Sequence, residues 1–154
     1  MKTREKRIAV VAPERPVPLN VVIRRNMQAM PTRNSSPEVQ LRRALHALGL
    51  RFRLHCADLP GRPDIVFSAA RVAVFVDGCF WHACPTHAVF PKNNRTWWRQ
   101  KLLGNRKRDR LKDRQLHAMG WLTIHVWEHE DMQRIAKAVA RTVRNRMKAF
   151  ARGR

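Results

Sequence analysis

Two hydrophobic periods alternate along the chain and divide it into elements. Leu41, Leu45 and Leu48 recur at helical spacing behind Ser36, which can cap a helix, and Pro37, which suits its first turn. Gly49 stops the pattern, so a helix is predicted over about 37–48. From 51 to 56 the period shortens to two, with Phe52, Leu54 and Cys56 on one face of a predicted strand. Leu59-Pro60-Gly61-Arg62-Pro63 reads as a turn. The β-rich runs Ile65-Val66-Phe67 and Val72-Ala73-Val74-Phe75-Val76, around a short connection, read as a hairpin. A loop over about 78–94 precedes a long basic helix over about 95–119, ended by Gly120, and 121–127 reads as another strand. The last helix, about 131–150, carries Ile135, Val139, Val143 and Met147 four residues apart, a stripe that can dock on a sheet. Helix, strands, helix, strand, helix in that order predicts an α/β fold, a mixed sheet with helices on its faces.

Residues 1–33 stand apart. Pro13, Pro16, Pro18 and Pro31 interrupt them and their charges are mostly basic, so they read as a flexible N-terminal extension to a domain over 34–150. Residues 151–154 form a short basic tail.

Charge changes the picture most. In 154 residues there are 32 Lys and Arg against 11 Asp and Glu, a formal net charge of +21. Such a field draws in polyanions, and nucleic acid is the expected partner; a protein that merely neutralises phosphate would share the composition. No apolar run is long enough to span a bilayer, so no membrane partner is expected, and the prolines after the basic start make a poor signal peptide. Three cysteines, Cys56, Cys79 and Cys84, are an odd number without a disulfide pattern; with His82 and His87 nearby they point to metal in a reducing cytoplasm.

Two places carry candidate chemistry. If the hairpin reverses near Ala69-Ala70, with its midpoint at residue 70, Asp64 lies opposite Val76, and its carboxylate sits beside the Val76 backbone carbonyl. Two hard oxygens together suit Mg²⁺, which keeps several waters for phosphate chemistry. The plainer reading makes Asp64 a strand-entry residue, and a register slip would exchange faces. Glu38 is a second carboxylate of interest, although at its helical position it can simply favour the helix dipole. The second place is the segment Asp77-Gly78-Cys79-Phe80-Trp81-His82-Ala83-Cys84-Pro85-Thr86-His87, with His129 after the next strand. Its donors suit zinc, although the spacing is not that of a standard finger. Phe80 and Trp81 can bury themselves or wedge between base pairs, as can Trp97 and Trp98. In the basic helix, Asn105 and Asp109 share the inward side with Leu102 and must find polar partners.

Taken together these residues resemble the very-short-patch repair (Vsr) endonuclease family. The likeness rests on the run from Leu59 to Asp64, the run from Val74 to His82, Trp97-Trp98, Lys101, Asn105, Arg108-Asp109, Gly120-Trp121 and Val126-Trp127-Glu128, and it extends from about Glu38 to about Asp131. The resemblance implies a restriction-endonuclease-like (PD-(D/E)xK-type) fold that nicks one DNA strand 5′ to the thymine of a T:G mismatch left by deaminated 5-methylcytosine. It implies Mg²⁺ on Asp64 and the Val76 carbonyl, with Glu38 near the metal waters and His82 as catalytic histidine and general base. Phe80, Trp81 and Trp98 would wedge into DNA, and Arg95, Lys101, Asn105 and Arg108 would contact it. A structural zinc would take Asp77, Cys79, His87 and His129, with Cys84 competing for the place of His87. Alternatively Asp77 joins the magnesium. The family also implies a cytoplasmic monomer acting on duplex DNA, with MutS- and MutL-type repair proteins as candidate partners. Two rivals remain: a restriction-associated nuclease of the same fold cutting matched DNA, and a catalytically silent zinc-stabilised DNA-binding module.

Overall fold

The computed structural model describes residue 25 and residues 33–153. The expected extension therefore lies almost wholly outside the described residues. Helix α1 spans Ser36–Ala47, with Pro37 in its first turn as the sequence suggests. Ser36 is its first residue rather than its cap, and accepts a hydrogen bond from Gln40. Strands β1 (Arg53–Leu54), β2 (Ile65–Phe67) and β3 (Val72–Asp77) follow, then helix α2 (Arg95–Ala118), strand β4 (Leu122–Trp127) and helix α3 (Met132–Arg152). The α3 start is secured by Asp131, whose carboxylate accepts the Gln133 and Arg134 amides at 2.9 and 3.3 Å.

The four strands form one mixed sheet in the order β1-β2-β3-β4. The first three are antiparallel neighbours, and β4 lies parallel to β3 after the crossover through α2. Strand parity sorts the side chains into two layers. Ile65, Phe67, Val72 and Val74 pack with Leu41 and Leu45 of α1 and Ala136, Val139 and Val143 of α3. On the other face Val66 and Ala73 meet Leu116 of α2, with Cys56 and Leu59. Of the four-spaced stripe on α3, Val139 and Val143 are buried while Met147 is exposed, since Met132, Ala136 and Ala140 widen the apolar face on another side.

Two expectations are corrected. The alternation over 51–56 does not persist, because His55 adopts a left-handed backbone (φ 47°) and ends the strand after Leu54. Phe52 then packs with the α1–α3 layer while Cys56 joins the α2 layer. The hairpin register is also one residue shorter than a turn midpoint at residue 70 implies. Ile65 pairs with Val74 and Phe67 with Val72, one residue short of the register that a 64–76 pair requires, and the ladder stops at Ile65, where the Asp64 amide donates to the Val74 carbonyl. The cause is the connection: a 3₁₀ turn over Ser68–Ala70 closed by Arg71 in the left-handed region (φ 48°) places four residues between the strands. A one-residue change of register reverses facing. Phe75 packs on the α2 face, where Asp64, Phe75 and Asp77 line one cleft, whereas the Val76 side chain packs toward α1 and α3.

The core prediction is direct. Leu45 is fully buried between α1 and the sheet, so Leu45→Ala should lower unfolding free energy by ~2–5 kcal/mol in urea titrations, with an unchanged slope.

Candidate active site and metal cluster

Strand β3 runs past the end of β2, and the side chain of Asp64 takes over where the ladder stops. The Asp64 amide donates to the Val74 carbonyl at 3.0 Å, and the Asp64 Oδ2 accepts the Val76 amide at 2.8 Å. Asp64 thus meets Val76 as expected, but through its N–H. The Asp77 carbonyl accepts from Glu128 on the β4 side, so strand alternation turns the Val76 carbonyl to the opposite edge, toward Asp64. A carboxylate and a free-facing peptide oxygen at one strand mouth can hold a hard divalent cation.

Around them opens a cleft of about 410 Å³ between the sheet and α2. Asp64, Asp77, Asp109 and Asp113 line it, four of the eleven acidic residues of a chain whose formal charge is +21. Burial lifts the Asp64 carboxyl above the usual carboxylate range; the Val76 hydrogen bond and the neighbouring His55 pull it back, and Asp77 adds to the rise. A cation in the cleft would relieve that repulsion.

Behind Asp64 stands a group that includes Glu38. Glu38 is buried at 3% exposure, and Arg42, one turn along α1, donates to its Oε1. Arg42 also contacts His55 Nε2 at 2.8 Å, Glu38 Oε1 lies 3.2 Å from the same nitrogen, and His55 Nδ1 is 3.8 Å from Asp64 Oδ1. Burial, and then the Arg42 charge, hold His55 below its ordinary value. Glu38, His55 and Asp64 offer donor atoms within 4.8 Å of one another. The sequence reading named Glu38 but missed Arg42 and His55; the spacing of Glu38 and Arg42, one helical turn apart, was the available signal.

His82 enters the cleft from the loop after β3. Its Nδ1 lies 2.8 Å from Asp109 Oδ2, and a carboxylate can only accept, so Nδ1 carries the proton and Nε2 keeps its lone pair. Asp109 thereby acquires the partner that its inward position on α2 demanded. Asn105, one turn earlier, donates to the Trp81 carbonyl at 3.0 Å and accepts from Arg108, tying the loop to the helix.

The second donor group lies beyond Gly78. Cys79, Cys84, His87 and His129 bring their donor atoms within 4.8 Å of one another. Cys79 Sγ is 3.0 Å from His129 Nδ1, and Cys84 Sγ is 3.8 Å from His87 Nδ1. Four donors around an ion at zinc-like bond lengths would stand roughly 3.3–3.8 Å apart. The expected set is corrected in two respects. Cys84 and His87 both take part rather than competing, and Asp77 is absent, because parity points it into the cleft, where its Oδ2 lies 2.6 Å from His125 Nδ1. Burial and the neighbouring Cys84 raise the Cys79 thiol to about 11; Cys84, despite desolvation, is drawn down to about 6 by hydrogen bonds from Thr86 and His87.

Phe80 and Trp81 sit half-buried on the loop, in edge contact at 5.0 Å, and both lean on the buried Trp98 of α2. Arg95, Lys101 and Arg108 are exposed on the same helix.

The family model described as DNA mismatch endonuclease Vsr matches residues 22–87. The Type II nicking enzyme V.NaeI of Lentzea aerocolonigenes is 46% identical over 133 residues, covering 83% of this chain and 80% of the relative. The DNA mismatch endonuclease Vsr of Escherichia coli K12 is 40% identical over 106 residues, 68% of this chain and 67% of the relative. The chain belongs to the Vsr endonuclease family. The resemblance read from the sequence is thereby established, as is a nuclease scaffold of mixed α/β architecture. The matched family segment contains Glu38, Asp64, Asp77, Cys79, His82, Cys84 and His87, whereas Asp109, His125 and His129 reach the site from beyond it. No described helix is long and apolar enough to cross a membrane.

His125 and Asp113 were also missed, although both left a trace: Asp113 follows Asp109 by one helical turn, and His125 interrupts the apolar strand β4. Despite desolvation, hydrogen bonds to Asp77 and Asp113 raise His125 to about 9. A raised histidine stabilises the fold fully below its unfolded value of about 6.5, and the contribution is lost as pH rises through about 9. Thermal melts should therefore show the wild type losing stability between pH 7 and 10 more steeply than His125→Phe; parallel curves would remove the pairing.

Proposed function

We propose that this protein is a magnesium-dependent endonuclease that nicks one DNA strand 5′ to the thymine of a T:G mismatch, initiating very short patch repair. The observation that carries the reading is the concentration of four carboxylates in one cleft of a strongly basic chain, beside the Val76 peptide oxygen. Basic residues draw in phosphate over the whole surface, and an acidic hole in that surface is of use to a polyanion only with a divalent cation between them. Asp64 and the Val76 carbonyl would hold the magnesium. Once bound, it would activate water and stabilise charge on the leaving oxygen.

The chain's own groups do the remainder. His82, fixed through Nδ1 by Asp109, takes the proton of the attacking water at Nε2. Glu38, paired with Arg42, and His55 stand behind Asp64 and order the waters there. Phe80 and Trp81, backed by Trp98, wedge beside the mismatch, while Arg95, Lys101 and Arg108 hold phosphates and Asn105 keeps the wedge loop on α2. Cys79, Cys84, His87 and His129 hold a structural zinc that ties the loop to the end of β4. The scaffold is read as restriction-endonuclease-like, with a basic segment ahead of the domain in sequence. It works as a cytoplasmic monomer on duplex DNA, with MutS- and MutL-type proteins as partners.

The names of the relatives favour a second reading, nicking of matched sites, because several are Type II nicking enzymes. Single-turnover assays on otherwise identical duplexes separate the two. Nicking of the T:G duplex should exceed that of the matched duplex by at least ~100-fold and vanish with EDTA, a difference of about 2.7 kcal/mol. Equal cutting would assign the second reading, and cutting in EDTA would remove the metal. Asp64→Asn should abolish nicking and leave the duplex Kd within a few-fold.

Elemental analysis should find one zinc per chain, and chelation or His129→Ala should lower the melting temperature. Zinc-free protein with an unchanged Tm would reduce the cluster to a packed loop.

A further inference from the structure

His125 faces the cleft from β4, and the reaction just described leaves it idle. Its ring stacks on Phe75, centroids 5.0 Å apart at 11°. Both nitrogens are engaged: Nδ1 lies 2.6 Å from Asp77 Oδ2 and Nε2 lies 3.0 Å from Asp113 Oδ1. Two carboxylate acceptors require two N–H donors, so the ring bridges them as an imidazolium. The other oxygen of Asp77, Oδ1, lies 3.8 Å from His82 Nδ1, the same nitrogen that faces Asp109 Oδ2 at 2.8 Å. Four elements are thus joined: Asp113 on α2, His125 on β4, Asp77 on β3 and His82 on the loop.

His82 Nδ1 has one proton and two carboxylates in reach. If Asp77 turned freely it would compete with Asp109 for that proton, swing the ring and turn Nε2 away from the water it is to deprotonate. Asp77 is also on the same sheet face as Asp64, where a loose carboxylate would intrude on the cation position. A bond at 2.6 Å to an imidazolium, itself anchored by α2, removes that freedom.

We propose that His125, clamped by Asp113, is a positioning residue that holds the Asp77 carboxylate away from His82 Nδ1 and so leaves Asp109 to orient the catalytic ring. The proposal rests on the reading of His82 as the base. It assigns His125 and Asp113 a role that packing against Phe75 alone would not require.

Position 125 separates the roles. His125→Phe keeps the ring stack and loses both donors. His125→Asn sets an amide nitrogen near the place of Nδ1 and keeps the donor to Asp77. Single-turnover nicking of a T:G duplex should fall ~10–100-fold in the Phe variant, the range for removing an outer-shell partner, with the duplex Kd within ~3-fold of wild type. The Asn variant should recover most of the rate. In magnesium-free protein, ¹⁵N spectra of the His82 ring should show the Nδ1-protonated tautomer in wild type and the Asn variant, and a tautomer mixture in the Phe variant. Asp113→Ala, which removes the α2 anchor of His125 and leaves β4 unaltered, should reproduce the Phe result and covers the case of a Phe variant that does not fold.

Wild-type rates and ring signals in the Phe and Ala variants would overturn the proposal, as would an Asn variant as slow as Phe. If the wild type nicks no T:G duplex, the proposed function fails by itself, and the ¹⁵N signals still decide whether His125 positions His82.

Discussion

Strand β3 outlasts its antiparallel partner, and the candidate active site is built on that mismatch of lengths. Where β2 ends, the Val76 amide has no backbone acceptor, and the carboxylate of Asp64 accepts it instead at 2.8 Å. One bond therefore terminates the ladder and fixes an acid at the strand mouth. The same termination leaves the neighbouring peptide oxygen turned to an edge where no strand follows. Parity then decides the rest. With Ile65 opposite Val74, Phe75 and Asp77 turn to the α2 side, where Asp64 lines the same cleft, and the groups that meet them come from α2, β4 and the loop after β3.

Helix α2 serves the cleft and the surface at once. Its outer side is basic and exposed, while Asp109 and Asp113, one turn apart, look inward to His82 and His125. In a chain of net charge +21, this segregation sets phosphate attraction on the outside against cation attraction within. The loop that carries His82 is held twice, by Asn105 on the Trp81 carbonyl and by Glu128 on the Cys79 amide at 2.7 Å. The four-donor cluster adds a third hold if a metal fills it. Precision at the His82 ring thus comes from rigid elements on both sides rather than from the loop itself.

Much of the fold was legible in the pattern of hydrophobic positions. Leu41 and Leu45 marked the core side of α1, and both hairpin strands lie where their β-rich runs place them. The hairpin register was not legible, because the turn type depends on a left-handed Arg71 that no glycine or asparagine announces. That single unit of register decides whether Asp77 belongs with the cysteines or with Asp64. The strand at 51–56 was overextended for a similar reason, the left-handed His55. His55, His125 and Asp113 carry ordinary residue types at ordinary spacings, and only the meeting of α1, β4 and α2 in space gives them partners. Asp109, by contrast, was marked in advance by its polar place on an inward stripe.

The account depends on a divalent ion held between the Asp64 carboxylate and the Val76 peptide oxygen. The most direct measurement replaces that ion with Fe²⁺ and maps where iron-generated radicals cut the polypeptide. Cuts beside residues 64 and 76, suppressed by excess Mg²⁺ and absent in the asparagine variant of Asp64, are the predicted result. A chain left intact at both places, or cut only within the cysteine loop, would contradict it.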